Sequence, residues 1–173
     1  FMKGYREVSF QGDAAVRWYF QSLCVANHFI GAGYCLSKSG ETLKLVKLNL
    51  IEQPDLAQTL AVACAALHQK VLFTGLQTLR IKETDRLLAL KTELEKTGAK
   101  ITIGDDFLEV TEGITSVEGV SFDTYHDHRM AMAFAPLALL GEITINDPDV
   151  VNKSYPNYWE DLKGAGFEVE DEG

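Results

Sequence analysis

Two long apolar runs dominate the pattern of hydrophobic and polar positions along the chain. The first, DLAQTLAVACAALHQ, opens at Asp55, and the second, DHRMAMAFAPLALLG, opens at Asp127. Residues 56–68 and 129–140 would be apolar on nearly every side of a helix. That pattern predicts helices buried between other layers, not amphipathic helices at the surface.

The same order of predicted elements follows each run. After the first come the strand KVLFTG, a loop ending at Lys82, the helix TDRLLALKTELEKTG and the strand AKITI. After the second come the strand EITIND, a loop ending at Lys153, the helix YPNYWEDLKGAG and the strand FEVE. The two opening aspartates are 72 residues apart and the two lysines 71. We interpret this agreement as a duplicated unit of helix, strand, helix and strand.

Upstream of these runs the repeat is harder to follow. The segment AAVRWYFQSLCVAN, after Gly12, predicts a further opening helix, and residues 46–50 alternate like a strand. We expect a single α/β domain over 1–173, with a partial or truncated repeat at 1–50 and repeat units at 51–123 and 124–173.

Local signals place the helix boundaries. Asp55 with Gln58 three residues later predicts a capping box at the first buried helix. Gly98 is expected to close the helix that contains TDRLLALKTELEK, while Pro156 suits the first turn of the last helix and Gly164 its end.

The composition limits the classes of partner. With 173 residues, 46% of them hydrophobic, the chain is long enough to bury one core. A formal net charge of -9 argues against nucleic acid or a membrane surface as a partner, because both present negative charge. A bound anion must therefore be held by a few placed cations.

Cysteine usage and hydropathy indicate a cytoplasmic location. Cys24, Cys35 and Cys64 cannot all pair and none lies in a CxxC motif, so we interpret them as buried thiols in preference to a metal or redox site. The apolar stretch 130–140 is too short to cross a bilayer. The chain begins at Phe1 without a signal pattern, which suggests a fragment.

Charge is concentrated where loops lead into helices. The segment RIKETDR places Lys82 and Arg86 beside a helix start, where unpaired N–H groups and the helix dipole favour a phosphate or carboxylate. Taken alone, the same pattern is also typical of surface ion pairs beside a favourable helix dipole. The segment YHDHRM favours the anion site, because Arg129 heads an otherwise apolar helix and needs an anionic partner. Lys153 recurs at the position equivalent to Lys82.

RIKETDRLLALKTELEKTGAKI and YHDHRMAMAF together resemble the paired signature of the 5-enolpyruvylshikimate-3-phosphate (EPSP) synthases. The opening QPDLAQT and the ending NKSYPNYWEDLKGAGFEV match in order and spacing as well. The resemblance extends over 53–169 and implies the carboxyl-terminal half of a two-domain enzyme. The implied fold has repeated βαβαββ units, with buried helices and outer sheets in an inside-out, barrel-like α/β domain.

The resemblance also implies a reaction. The enolpyruvyl group of phosphoenolpyruvate moves to the 5-hydroxyl of shikimate 3-phosphate and phosphate is released, with no metal or organic cofactor. The implied partners are these two small molecules and the amino-terminal domain of the same enzyme, which is expected to be a monomer when complete. Without that domain, we expect little or no transferase activity.

Site roles follow from the resemblance residue by residue. Asp55 matches the proton acceptor and Glu83 the proton donor. Lys82 matches a contact to the shikimate phosphate, and the cations expected to clamp phosphoenolpyruvate are Arg86, Arg129 and Lys153. His128 either assists proton transfer or is a hydrogen-bonded structural histidine, the reading we favour.

Some positions depart from the family pattern. Thr78 stands near a usual asparagine contact, His126 replaces a more common asparagine, and GDAAVRWYF lacks the serines expected to bind the shikimate phosphate, with Val16 and Arg17 in their place. The alternatives are a related enolpyruvyl transferase, a non-catalytic phosphate-binding domain and a structural or oligomer-forming domain.

Overall fold

The computed structural model describes residues 1–3, 6–40, 44–82 and 84–171. The helices in these ranges are α1 (Val16–Ser22), α2 (Ala57–Ala66), α3 (Arg86–Glu95), α4 (His128–Phe134) and α5 (Tyr158–Gly164). The strands are β1 (Met2–Lys3), β2 (Val25–Ile30), β3 (Gly33–Lys38), β4 (Val46–Asn49), β5 (Val71–Thr74), β6 (Lys100–Ile103), β7 (Leu108–Glu112), β8 (Val120–Phe122) and β9 (Ile143–Ile145).

The strands form three sheets in the described part of the chain. Their orders are β1-β3-β2, β4-β5-β7-β6 and β8-β9. β4 pairs with β5 in parallel, with Val46 opposite Val71, and β8 pairs with β9 in parallel, with Val120 opposite Ile143. The remaining pairs are antiparallel.

Both parallel pairs are connected through a buried helix. Parallel neighbours need a crossover connection, and α2 supplies it between β4 and β5 while α4 supplies it between β8 and β9. The two crossover helices pack against each other. The segments that open them are therefore brought to the same end of the domain.

The apolar runs form the core, as the sequence predicts. Leu60, Ala61 and Cys64 of α2 are fully buried, as are Phe73 of β5 and Leu90 of α3. α4 ends at Phe134 and the chain continues as a 3-10 helix over Ala135–Leu139, because Pro136 has no N–H for an α-helical hydrogen bond. The mixed α/β class with buried helices is confirmed. The division into repeat units stays a prediction.

The predicted helix in AAVRWYFQSLCVAN is too long. α1 ends at Ser22, Cys24 adopts a left-handed φ of 62°, and Val25 begins a strand that pairs antiparallel with β3. Apolar runs of this length suit either structure, and the pairing with β3 decides between them. Strands β1, β3, β7 and β8 were not predicted from the sequence either.

Two local predictions are wrong. Residues 167–170 form no strand, since the Phe167 N–H instead donates to the Leu162 carbonyl and closes the end of α5. The capping box is also absent: Asp55 lies in the 3-10 turn Pro54–Leu56, and Leu56 caps α2 without a side-chain hydrogen bond. In the described residues, no helix is long and apolar enough to span a bilayer.

A candidate anion site at the starts of three helices

Asp127 is the buried centre of the site. It precedes α4, its side chain is 0% exposed, and its Oδ1 accepts the Arg129 N–H at 2.9 Å as a helix cap. Its Oδ2 accepts from Arg86 Nε at 2.6 Å and from Gln58 Nε2 at 3.0 Å. A buried carboxylate is strongly unfavourable without such partners. Asp127 therefore holds the starts of α2, α3 and α4 together.

Arg86 links Asp127 to Asp55. It is the first residue of α3 and is 2% exposed, and its Nη1 donates to Asp55 Oδ1 at 2.8 Å. The preceding residue, Asp85, caps α3 by accepting the Leu88 N–H at 3.0 Å. Arg80 donates to Asp85 Oδ2 at 2.7 Å and so pairs outside the anion site. Arg86 is the buried arginine of this segment.

Asp55 is the carboxylate on which the cations meet. Besides Arg86, Arg129 Nη2 lies 3.2 Å from its Oδ2 and Lys82 Nζ lies 3.6 Å from its Oδ1. Asp55 is 30% exposed, while the side chains of Arg129 and Lys82 are 28% and 36% exposed. We call Asp55, Lys82, Arg86, Asp127 and Arg129 the anion site. Its three cations and two carboxylates leave one positive charge, although the whole chain carries -9.

His128 and Lys153 lie beside this group. Burial lowers the pKa of His128, the charges of Arg129, Lys153 and Arg86 lower it further, and Asp127 opposes them. His128 Nδ1 is buried and has no hydrogen-bond partner among the described residues, so the expected structural hydrogen bond is not seen at this nitrogen. Lys153 is exposed and makes no ion pair within the described ranges.

Thr78 and Glu83 are the remaining predicted site residues. Thr78 is exposed in the 3-10 helix Gln77–Ile81, and its hydroxyl has no hydrogen bond in the described part of the chain. Glu83 lies outside the described residues. The structure thus brings together Asp55, Lys82, Arg86 and Arg129, with His128 and Lys153 next to them.

Gln58 and Asp127 were not predicted as site residues. Gln58 is a fully buried polar residue within an otherwise apolar run, and in the described residues its side chain hydrogen-bonds to Asp127. A polar residue amid apolar neighbours is the signal that could have identified it. For Asp127, the signal was the need of a buried arginine for a carboxylate.

In the described part of the chain, Tyr19 links the upstream segment to the residues just before Asp55. Tyr19 of α1 donates its hydroxyl to Gln53 Oε1 at 2.8 Å, close to Asp55 in the chain. Arg17, which stands where small or polar residues were expected, is directed elsewhere. Its Nη1 donates to the Glu7 carbonyl at 2.8 Å, and its guanidinium lies 4.7 Å from the ring centroid of Trp18. In the described chain, no group of three His, Cys, Asp or Glu residues is arranged to hold a metal ion.

Comparison with known proteins identifies the family. The model of the EPSP synthase family, 3-phosphoshikimate 1-carboxyvinyltransferase, matches residues 13–162. The chain belongs to the EPSP synthase family. The 3-phosphoshikimate 1-carboxyvinyltransferase of Bacteroides fragilis is 44% identical over 164 residues, which are 93% of this chain and 40% of that enzyme. The enzyme of the same name from Photobacterium profundum is 40% identical over 133 residues, 76% of this chain and 31% of that one.

Solved structures show the same family fold. EPSP synthase from Acinetobacter baumannii superimposes with a TM-score of 0.58 at 25% identity, over 85% of this chain and 36% of that one. The enolpyruvyl transferase NikO from Streptomyces tendae superimposes with a TM-score of 0.60 at 16% identity, over 91% and 37%. The chain therefore spans about 40% or less of the length of these EPSP synthase relatives.

Proposed function

We propose that this chain forms part of an EPSP synthase that transfers the enolpyruvyl group of phosphoenolpyruvate to the 5-hydroxyl of shikimate 3-phosphate and releases phosphate. The observation that carries the proposal is the meeting of Arg86, Arg129 and Lys82 on the carboxylate of Asp55. Both substrates are polyanions, and a carboxylate surrounded by cations combines charge neutralisation with a group that can accept a proton.

The cations are suited to different parts of the substrates. Guanidinium groups match carboxylate and phosphate oxygens in bidentate geometry, so we assign Arg86 and Arg129 to phosphoenolpyruvate. Lys153 is assigned to the same substrate, to which its ammonium group would add a compact positive charge. Lys82 is assigned to the phosphate of shikimate 3-phosphate. Thr78 is a candidate for a further substrate contact. A substrate anion would replace part of the pairing that these cations now make with Asp55.

Proton transfer follows from the bonds that change. The shikimate hydroxyl loses a proton as its oxygen bonds to the central carbon of phosphoenolpyruvate, and the methylene carbon gains a proton. Loss of phosphate and of one methyl proton then restores the double bond in the product. We assign Asp55 as the proton acceptor and Glu83 as the proton donor, since one step requires a basic and an acidic carboxyl group together. His128 is a candidate for assisting proton transfer, because its lowered pKa favours the neutral imidazole.

The relatives' greater length supports a proposal about partners. We infer that an amino-terminal domain of the same enzyme closes over the anion site in the cytoplasm, and that the complete enzyme acts as a monomer without a cofactor. The present chain, acting alone, would then bind phosphoenolpyruvate but release little or no phosphate, because a site open on one side does not hold the two substrates aligned for reaction.

A chimera tests the proposal directly. This chain would replace the matching segment of the Bacteroides fragilis enzyme, and phosphate release would be measured with phosphoenolpyruvate and shikimate 3-phosphate together and singly. We expect release with both substrates together. We also expect D55N to lower kcat by about two orders of magnitude or more, the usual scale for losing a general base.

A matched control comes from an exposed carboxylate. Glu112 pairs with Lys100 on the surface at 2.8 Å, so E112Q should leave the rate unchanged. A folded chimera that binds both substrates yet releases no phosphate would favour the non-catalytic phosphate-binding alternative. Equal rates for D55N and the parent chimera would remove Asp55 from the mechanism.

A further inference from the structure

Glu93 is a fully buried acidic residue that the proposed reaction does not use. It is 0% exposed and lies in α3, seven residues after Arg86. Residues seven apart are two turns apart on the same face of a helix. Arg86 and Glu93 therefore face the same neighbouring segment of the chain from two positions along α3.

That segment is the connection from β8 to α4, residues 123–127. Glu93 Oε1 accepts the Tyr125 hydroxyl at 2.7 Å, and its Oε2 accepts the Asp123 N–H at 3.0 Å. Lys96, one turn further along α3, forms an ion pair with Glu93 Oε2 at 2.6 Å. We call Glu93, Lys96, Asp123 and Tyr125 the Glu93 cluster.

The connection from β8 to α4 has a strained backbone. Tyr125 and His126 have φ values of 54° and 57°, so two consecutive residues with side chains occupy the left-handed region. Such residues persist where their surroundings hold them. The Asp127 N–H donates to the Thr124 carbonyl at 2.9 Å and closes the turn, after which Asp127 enters the anion site.

We propose that Glu93 is a positioning residue for the anion site. By holding Asp123 and Tyr125, it fixes the left-handed turn that presents Asp127 to Arg86 and sets the start of α4, from which Arg129 reaches Asp55. The importance of this positioning for substrate binding rests on the proposed function. Glu93 and Arg86, on one face of α3, thus hold Asp123 and Asp127, the two ends of the connection from β8 to α4.

The test compares three variants in the 173-residue chain. E93Q keeps the shape of the side chain but replaces one acceptor oxygen by an NH2 group, Y125F removes one donor, and E93Q/Y125F combines them. V110A, a cavity substitution in a fully buried position of β7, controls for lost stability. Two quantities are measured by NMR: the hydrogen-exchange rate of Arg86 Nε–H, and the dissociation constant of phosphoenolpyruvate.

We expect E93Q to accelerate Arg86 Nε–H exchange and to weaken phosphoenolpyruvate binding by about tenfold, the factor that one lost charge-assisted hydrogen bond corresponds to. The double variant should lose little more than E93Q, because both substitutions break the same contact. V110A should change neither quantity by more than its effect on global stability.

The outcomes separate the two proposals. Unchanged Arg86 exchange in E93Q, or an effect no larger than that of V110A, would overturn the positioning role whether or not the ligand binds. A parent chain that protects Arg86 Nε–H but shows no phosphoenolpyruvate binding even at millimolar concentration would count against the proposed function. The exchange rates would still decide the role of Glu93.

Discussion

The anion site and the Glu93 cluster each bury a carboxylate completely, but they compensate its charge in different ways. Asp127 is paired with the buried guanidinium of Arg86. The same guanidinium also contacts Asp55, which pairs with two further cations, Arg129 and Lys82. Glu93 is satisfied by a hydroxyl, a backbone N–H and one partly exposed lysine. The anion site has three cations for two carboxylates. The Glu93 cluster has one cation, Lys96, for its two carboxylates, Glu93 and Asp123.

This difference separates a binding region from a structural one. Neutral donors can satisfy a buried carboxylate without attracting any further anion. An excess of cations at helix starts costs stability unless an anion is near, so it is expected where an anion binds. Both regions use the same face of α3, which makes that helix the rigid element between them.

The largest predicted effect comes from removing Arg86. R86M leaves the buried Asp127 carboxylate without its charged partner, and we expect a loss of about 3–5 kcal/mol in the free energy of unfolding. Urea denaturation measures it. R80M provides the matched control, since the Arg80–Asp85 pair is partly exposed and should contribute at most about 1 kcal/mol.

A double variant sharpens the same prediction. R86M/D127N should be more stable than R86M, because the asparagine still caps α4 while no buried charge remains unpaired. If R86M and R80M destabilise the chain equally, the buried pair does not hold the anion site together.

The second prediction concerns pH and the His128 side chain. Its pKa is lowered from 6.5 in the folded chain, so between the two pKa values the unfolded chain binds more protons at this residue. Its contribution to stability is therefore complete above 6.5 and is lost as the pH falls below 6.5 towards the folded value. We expect H128Q to weaken this decline. Urea unfolding of both proteins, between about pH 5 and pH 7.5, measures the difference.

The smallest predicted effect lies at the edge of the Glu93 cluster. The pKa of Asp123 is lowered from 3.8, first by the hydrogen bond from Asn146 at 2.7 Å and then by Lys96. N146A should move the pKa of Asp123 upward while leaving the unfolding free energy near neutral pH almost unchanged, because Asp123 is half-exposed. A carbon-13 NMR titration of the Asp123 carboxyl measures the shift. An unchanged titration would show that Asn146 does not stabilise the charged form.

The sequence predicted the parts of the fold that depend on local pattern. The runs after Asp55 and Asp127 have no polar face, and both form buried crossover helices. The hairpin of β2 and β3 was missed because short apolar segments suit helix and strand alike until a distant partner is known. Residues 167–170 have strand-like alternation but no pairing strand among the described residues.

The site was predictable in part for similar reasons. Motif resemblance indicated Asp55, Lys82, Arg86 and Arg129, and the structure places these four in contact. Neither spacing nor charge pattern reveals which carboxylate a buried arginine meets, so the role of Asp127 emerged only from the contact between the starts of α3 and α4. The Glu93 contacts likewise depend on a left-handed turn without a glycine to indicate it.

Anion binding at the anion site can be measured by titrating the chain labelled with nitrogen-15 arginine. Phosphoenolpyruvate is added at constant ionic strength, and the Nε–H resonances of Arg86, Arg129 and Arg80 are followed. Our prediction is that Arg86 and Arg129 show saturable shifts while Arg80 stays unchanged, because Arg80 pairs with Asp85 and the Gly104 carbonyl away from Asp55. Equal, non-saturating shifts at all three arginines would contradict it.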